Sequence, residues 1–335
     1  MSKTCLKKVT VVMIVCAFIF FHRLEVTVGS SIHTNVPYSP SVLKRDLHGI
    51  HSKFPEHVNI QTIGYSVLGY PIWAVQVGSG NYSIVILGAH HGREWLTSTL
   101  LMRMIEDTAI KMKNNDPAYK ILNDVSITFI PMVNPDGVLI QQGLAEKATK
   151  KLSQKWIAMN EGERDFSRWK SNAQGIDLNR QYPAGWPELS DQPNEPSYKF
   201  YKGKKPLIAP EARAVSHFLH RKKPLLVATY HSAGREIYYR FGKEQNVKRD
   251  TAIATRIAEV TGYKLAKPPK KATGGGLTDW FITEFRRPAL TIEIGSYPGE
   301  TSLPLSIFYE EWLRNRKVPF VLTQLARENI HKKEE

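Results

Sequence analysis

Cysteine is almost missing from this 335-residue chain: the two it has, Cys5 and Cys16, both lie in the first sixteen residues. Once that leader is gone, no disulfide, thiol nucleophile or thiolate ligand remains, so any metal has to be held by histidines and carboxylates. Acids are also scarce, with 31 Asp and Glu against 46 Lys and Arg, which leaves a net charge of +15. Long apolar runs are absent. The uncharged, largely apolar run Val9 to Phe21 has thirteen residues, fewer than the roughly 20 that span a bilayer. Lys3, Lys7 and Lys8 precede it and a polar stretch ending Val28-Gly29-Ser30 follows. Residues 1–30 therefore read as a secretory signal with small residues at its cleavage point, or as an uncleaved anchor, the one route to a membrane. Without those residues, which hold four basic side chains and one acid, the charge is +12. A basic exported chain adheres to polyanions such as an anionic cell wall. Export without disulfides points to a bacterial protein, secreted or wall-associated. Charge alone suggests nucleic acid as well, but no accompanying motif supports it.

The body shows neither repeat nor linker composition after residue 40, so one domain is expected over residues 59–330, after a lead-in (31–58) with a short helix and before a frayed tail (331–335). The lead-in helix is expected from Val42 to Phe54, capped by Ser41. Ile60 to Gly64 and Pro71 to Val77 read as a hairpin. Four apolar runs, Ser83–Leu87, Val125–Val133, Leu225–Tyr230 and Ala289–Gly295, read as buried strands. Ile237–Phe241 reads as a further strand. Helical spacing marks Glu94–Lys113, a stretch within 141–170, Pro210–Arg221, Thr251–Tyr263, Leu277–Phe285 and Leu303–Arg327. This succession predicts an α/β fold with a mixed sheet whose central strands are parallel. Asn134-Pro135-Asp136-Gly137 reads as a tight turn. Residues 183–208 read as a long irregular loop bordering a cleft, and Lys264–Gly276 as a mobile one.

Chemistry concentrates at strand ends, where open α/β sheets place their sites. His91 and Glu94 stand three apart at the first strand-to-helix junction, a spacing that offers an imidazole and a carboxylate to one ion. Taken alone, the pair is equally a solvated loop histidine and a helix N-terminal acid. His231 ends another strand. Asn179 and Arg180 follow Asp177, and an amide beside a guanidinium suits a carboxylate. Glu293 sits between Ile292 and Ile294, where a carboxylate is costly unless paired or working.

Five stretches together resemble the zinc metallocarboxypeptidases of the carboxypeptidase A type. They are His91-Gly92-Arg93-Glu94-Trp95, Asn134-Pro135-Asp136-Gly137, Gly175-Ile176-Asp177-Leu178-Asn179-Arg180, Thr229-Tyr230-His231-Ser232 and Thr291-Ile292-Glu293. The resemblance runs from about Asn59 to the C-terminal helix. It implies a sheet of about eight strands with helices on both faces, and one Zn2+ held by His91, Glu94 and His231, with His90 the competitor that lacks the spacing. It further implies Glu293 as general base, Asp177 orienting a zinc histidine, Asn179 and Arg180 gripping a substrate carboxylate, and Arg93 lining the cleft. Three departures stand out. Lys170 falls where the digestive enzymes support the oxyanion with arginine, Lys271 where they carry a mobile tyrosine, and Thr278 at the base of their specificity pocket.

Those departures, with Trp169-Lys170-Ser171-Asn172 and His231-Ser232-Ala233-Gly234, resemble a bacterial branch, the γ-D-glutamyl-meso-diaminopimelate peptidases of peptidoglycan stem peptides. A diamino acid brings an extra carboxylate and amine, for which Arg235, Arg240, Lys271 and Thr278 are candidates. The expectation is a monomeric exported peptidase acting on muropeptides. A broad carboxypeptidase acting on ordinary peptides is the alternative enzyme, and an inactive wall- or peptide-binding module the alternative from another class.

Overall fold

The computed structural model describes residues 30–145, 150–190, 192–242, 246–268 and 273–334. The expected signal segment, apart from Ser30, and the candidate Lys271 lie outside the described residues. A compact unit comprises Ser31–Glu335. Among the described residues no helix is long and apolar enough to cross a membrane.

Eight strands form one sheet in the order β1-β2-β4-β3-β5-β8-β6-β7. They are β1 (Val58–Tyr65), β2 (Pro71–Val77), β3 (Tyr82–Leu87), β4 (Val125–Ile130), β5 (Leu226–Ser232), β6 (Glu236–Tyr238), β7 (Lys264–Leu265) and β8 (Ala289–Ile294). The four central strands, β4, β3, β5 and β8, run parallel. The β1–β2 hairpin and β6 join antiparallel at the flanks. The architecture is thus the mixed α/β sheet the apolar runs implied.

The strand period of two divides each central strand between two cores. From β3, Ile84 and Ile86 enter one core while Val85 and Leu87 enter the other. The first core is closed by α1 (Pro40–Lys53), α2 (Leu96–Lys113), α6 (Val247–Thr261), α8 (Phe308–Asn315) and α9 (Val318–Glu334). The second is closed by α5 (Pro210–Lys222) and α7 (Leu277–Phe285). A smaller cluster under α3 (Pro135–Gln141) and α4 (Lys150–Met159) buries Trp156 and Trp169. Helices on both faces leave the carboxyl ends of β3, β5 and β8 as the open edge of the core.

Several local expectations are corrected. Helix α1 begins at Pro40, not Val42, and its cap is Ser39, whose hydroxyl accepts the Val42 N–H, rather than Ser41. Proline at the first helical position costs no hydrogen bond, so Pro40 can start the helix. Asn134-Pro135-Asp136-Gly137 is no turn: Asn134 accepts the Gly137 N–H and starts α3. Lys264–Leu265 is an edge strand inside the expected loop, β6 starts at Glu236 and stops at Tyr238, and α6 starts four residues early, at Val247. The C-terminal helix divides into α8 and α9, and α9 continues to Glu334. Among the described residues the helical spacing through 141–170 is realised as α4, with Leu144 ahead of it.

Candidate active site

The chain leaves β3 at Leu87 and makes one short turn of helix, Gly92–Glu94, before α2. That turn aims the two side chains of the His-x-x-Glu spacing at one point. Nδ1 of His91 lies 2.8 Å from Glu94 Oε1, and Nδ1 of His231 lies 2.8 Å from Glu94 Oε2. The two Nδ1 atoms are 3.3 Å apart. Three ligand atoms around one tetrahedral zinc, with bonds of about 2.0–2.1 Å, stand about 3.3 Å from one another. The donor set therefore fits a single ion, and His91, Glu94 and His231 form the one such cluster among the described residues. His90 is excluded. It is fully buried, stacks on the His231 ring at 5.5 Å and points Nε2 at the Tyr182 hydroxyl.

Neighbouring side chains and backbone groups fix these ligands. Asp177 Oδ1 lies 3.1 Å from His91 Nε2 and also accepts the Asn179 N–H, while its Oδ2 accepts the Phe200 N–H. With the carboxylate on Nε2, His91 turns Nδ1 toward the metal position. Burial alone would push Asp177 up, but His91, Lys170 and Arg180 reverse it and hold the carboxyl well below its usual range. Burial likewise opposes ionisation of Glu94, and the two imidazoles override it. Burial lowers His231, favouring the neutral ring that a metal requires.

Asn134 ties this corner together, its amide donating to the carbonyls of His90, Lys170 and Ser171. The approach is too close for side chains. A Cβ on Gly92 would stand 2.3 Å from the Gly137 carbonyl oxygen, and one on Gly137 would stand 2.5 Å from Ser171 O. Behind Asn134, Asp136 accepts the Ser66 hydroxyl and the Leu68 N–H. Glu211 accepts the Val67 N–H and the Asn172 amide. Two fully buried acids thus clamp the tip of the β1–β2 hairpin. Burial pushes Asp136 up to about 6. Burial and the neighbouring Asp136 charge push Glu211 up to about 7.

Beside the metal position opens a cavity of about 250 Å³. Of the expected residues it is lined by His91, Glu94, Lys170, Asn179, Arg180, His231, Arg240, Thr278 and Glu293. Glu293 and His231 are register partners on adjacent strands β8 and β5. Burial and then the Glu94 charge push Glu293 up to about 8, against the pull of Lys170. Burial lowers Lys170, although Asp177 and Glu94 favour its charge. Thr278 and Thr291 line the cavity with their hydroxyls 2.7 Å apart, and the Thr229 hydroxyl lies behind them at 3.2 to 3.3 Å. Two expectations fail. Arg235 is held on Glu310 and Glu311 and is not among the lining residues, because those acids on α8 satisfy its guanidinium. Arg93 is not among them either, and its guanidinium donates to the Arg168 carbonyl. Phe200, Tyr238, Tyr239, Asp279 and Tyr297 line the cavity without having been anticipated. Asp279 stands next to Thr278, and its acid in a helix's first turn was the available signal. A larger crevice of about 800 Å³, lined by residues that include His51, Asn59, Gln76 and Tyr119, gathers no comparable metal-binding cluster.

The sequence profile of the zinc carboxypeptidase family matches residues 43–299. The chain belongs to that family. Among curated relatives of this zinc carboxypeptidase, the γ-D-glutamyl-L-diamino acid endopeptidase 1 of Lysinibacillus sphaericus is 33% identical over 290 residues, covering 82% of this chain and 70% of the relative. Among solved structures, bovine thrombin-activatable fibrinolysis inhibitor, in complex with tick carboxypeptidase inhibitor, superposes with a TM-score of 0.68 at 18% identity, over 89% of this chain and 99% of that one. Murein-tripeptide amidase MpaA from Escherichia coli O157 gives a TM-score of 0.50 at 18% identity, over 80% and 93%. At such identities the structural likenesses establish the fold. The family establishes a zinc-dependent peptidase, and the His-Glu-His group suits its one ion.

Proposed function

We propose that this zinc peptidase is exported and hydrolyses the γ-D-glutamyl bond to a diamino acid, such as meso-diaminopimelate, in peptidoglycan stem peptides, acting as a monomer. The observation that carries the reading is a single cavity holding the metal triad and Glu293 and, among aromatic side chains, the polar groups Thr278, Thr291, Arg240 and Asp279. A diamino acid side chain has charged groups that can use such polar partners, and an aliphatic one has none. The relative from Lysinibacillus sphaericus, named for a γ-D-glutamyl-diamino acid bond, supports it. Export rests on the charged and apolar pattern of residues 1–30, and attraction to the wall on the basic charge.

Each side chain then has a defined task. His91, Glu94 and His231 would hold zinc, whose Lewis acidity activates water and polarises the scissile carbonyl. Glu293, raised by its burial and by Glu94, takes the proton of the attacking water and delivers it to the leaving amine. Lys170 brings a positive charge to the cavity for the developing oxyanion, without the fork of an arginine. Asn179 and Arg180 meet a substrate carboxylate, and Asp177 orients His91. Incubating the purified, zinc-loaded protein with a diaminopimelate-containing muropeptide and with blocked dipeptides tests the reading. Release of the diamino acid portion supports it, and cleavage of the dipeptides alone refutes it in favour of a broad carboxypeptidase.

A further inference from the structure

Ser31 is the first residue of the compact unit described above, and Ile32, one residue on, is already 5% exposed within the main core. Two buried acids receive this entry. Asp46 accepts the His33 N–H and the Tyr38 hydroxyl and pairs with the His33 ring at 2.7 Å. Glu106 on α2, 2% exposed, accepts both the Ser31 backbone N–H at 2.8 Å and the Ser31 hydroxyl at 2.6 Å, and its other oxygen pairs with Arg103. Immediately upstream stand Val28, Gly29 and Ser30, small residues of the kind that signal-peptidase-class endopeptidases cut after.

We propose that the leader is removed at the Ser30–Ser31 bond and that the α-ammonium created on Ser31 latches onto the buried Glu106 carboxylate, fastening the mature N-terminus to the core. The inference rests on the export reading above. In the hydrolysis, water adds its hydroxyl to the Ser30 carbonyl carbon and a hydrogen to the Ser31 nitrogen as the peptide bond breaks. The nitrogen then takes a proton from solvent. An amide offers Glu106 one proton and no charge. The ammonium, standing at the same 2.8 Å, offers three protons and a full charge, and an ionised pair in a buried place is the stronger bond. Cleavage even two residues earlier would move that charge out of reach of Glu106.

The test uses the full chain, secreted by a bacterial host under its own leader. The intact mass of the secreted protein is expected to correspond to residues 31–335. Two changes are then crossed, a Gly-Ser insertion after Ser30, which displaces the new terminus, and Glu106→Gln. The insertion is expected to lower Tm by roughly 3 °C or more in the native background and to have no further effect beside Glu106→Gln. If that variant does not fold, N-α-acetylation of the native enzyme replaces it and should lower Tm as the insertion does. Retention of the leader on an unexported protein refutes export and the latch together. A secreted protein that starts elsewhere, or an insertion that costs nothing or costs the same in both backgrounds, refutes the latch alone.

Discussion

Replacing Glu211 with glutamine should reverse its effect on stability between acid and alkaline solution. Glu211 is fully buried, and burial with the Asp136 charge moves its carboxyl from 4.5 up to about 7. A folded-state value above the unfolded one means that the native protein binds the proton more tightly. Stability is then fully present below about pH 4.5 and is lost as pH rises through about 7. At about 1.4 kcal/mol per unit, ionising Glu211 by pH 8 costs about 3 kcal/mol. Asp136, moved from 3.8 up to about 6, ionises first and is the charge that Glu211 then meets. Glutamine removes the ionisation but has only one acceptor for two donors, the Val67 N–H and the Asn172 amide, so it forfeits about 1–2 kcal/mol at every pH. The variant should therefore be less stable than wild type by about 1–2 kcal/mol near pH 4, and more stable by a similar margin near pH 8. Urea unfolding of both metal-free proteins across that range measures the difference, in which the titrating groups that do not interact with Glu211 cancel. Stability curves that run parallel would refute the account of Glu211 as an acid held against its charge.

Four further outcomes follow from the site. Glu293→Gln should retain zinc by elemental analysis yet lose roughly a thousandfold or more in kcat, since the carboxylate that moves the proton is gone. Lys170→Met should lower kcat by about a hundredfold, with a smaller change in KM, in steady-state assays, if its charge meets the oxyanion more than the ground state. Asp177→Asn should weaken zinc binding about 10- to 100-fold in a chelator competition, because the His91 ring loses its carboxylate partner. Gly137→Ala, whose new methyl would meet Ser171 O at 2.5 Å, should cost about 3 kcal/mol in denaturant unfolding, and a cost below about 1 kcal/mol would show that the corner yields.

The central strands were readable because burial on both faces selects β-branched runs, as in Ser83–Leu87; His231 and Glu293 were readable because they end or interrupt such a run, while His91 and Glu94, beyond the β3 run, gained meaning only beside the other motifs. Elements with local alternatives were not. Asn-Pro-Asp-Gly has the composition of a turn, and only contacts with His90, Lys170 and Ser171, distant in sequence, make it a helix start. Arg235 looked like a cleft cation until Glu310 and Glu311 claimed it, a pairing across some 75 residues that no local pattern announces. The cavity's tyrosines were missed for a related reason. Tyr238, Tyr239 and Tyr297 come from the three-residue strand β6, the residue after it and a loop, where an aromatic is indistinguishable in sequence from ordinary packing.

The strand order carries a consequence for how such a site can diversify. His91, His231 and Glu293 come from far apart in the chain, yet His91 follows β3 while His231 and Glu293 lie near the ends of β5 and β8, and these three strands lie side by side. Backbone hydrogen bonding sets neighbouring strands about 4.8 Å apart. The sheet is thus a ruler with the hydrolytic groups on consecutive marks, while Phe200, Arg240 and Tyr297 hang from segments off that scale. Rebuilding those segments can retarget the enzyme and leave the bond-breaking spacing untouched.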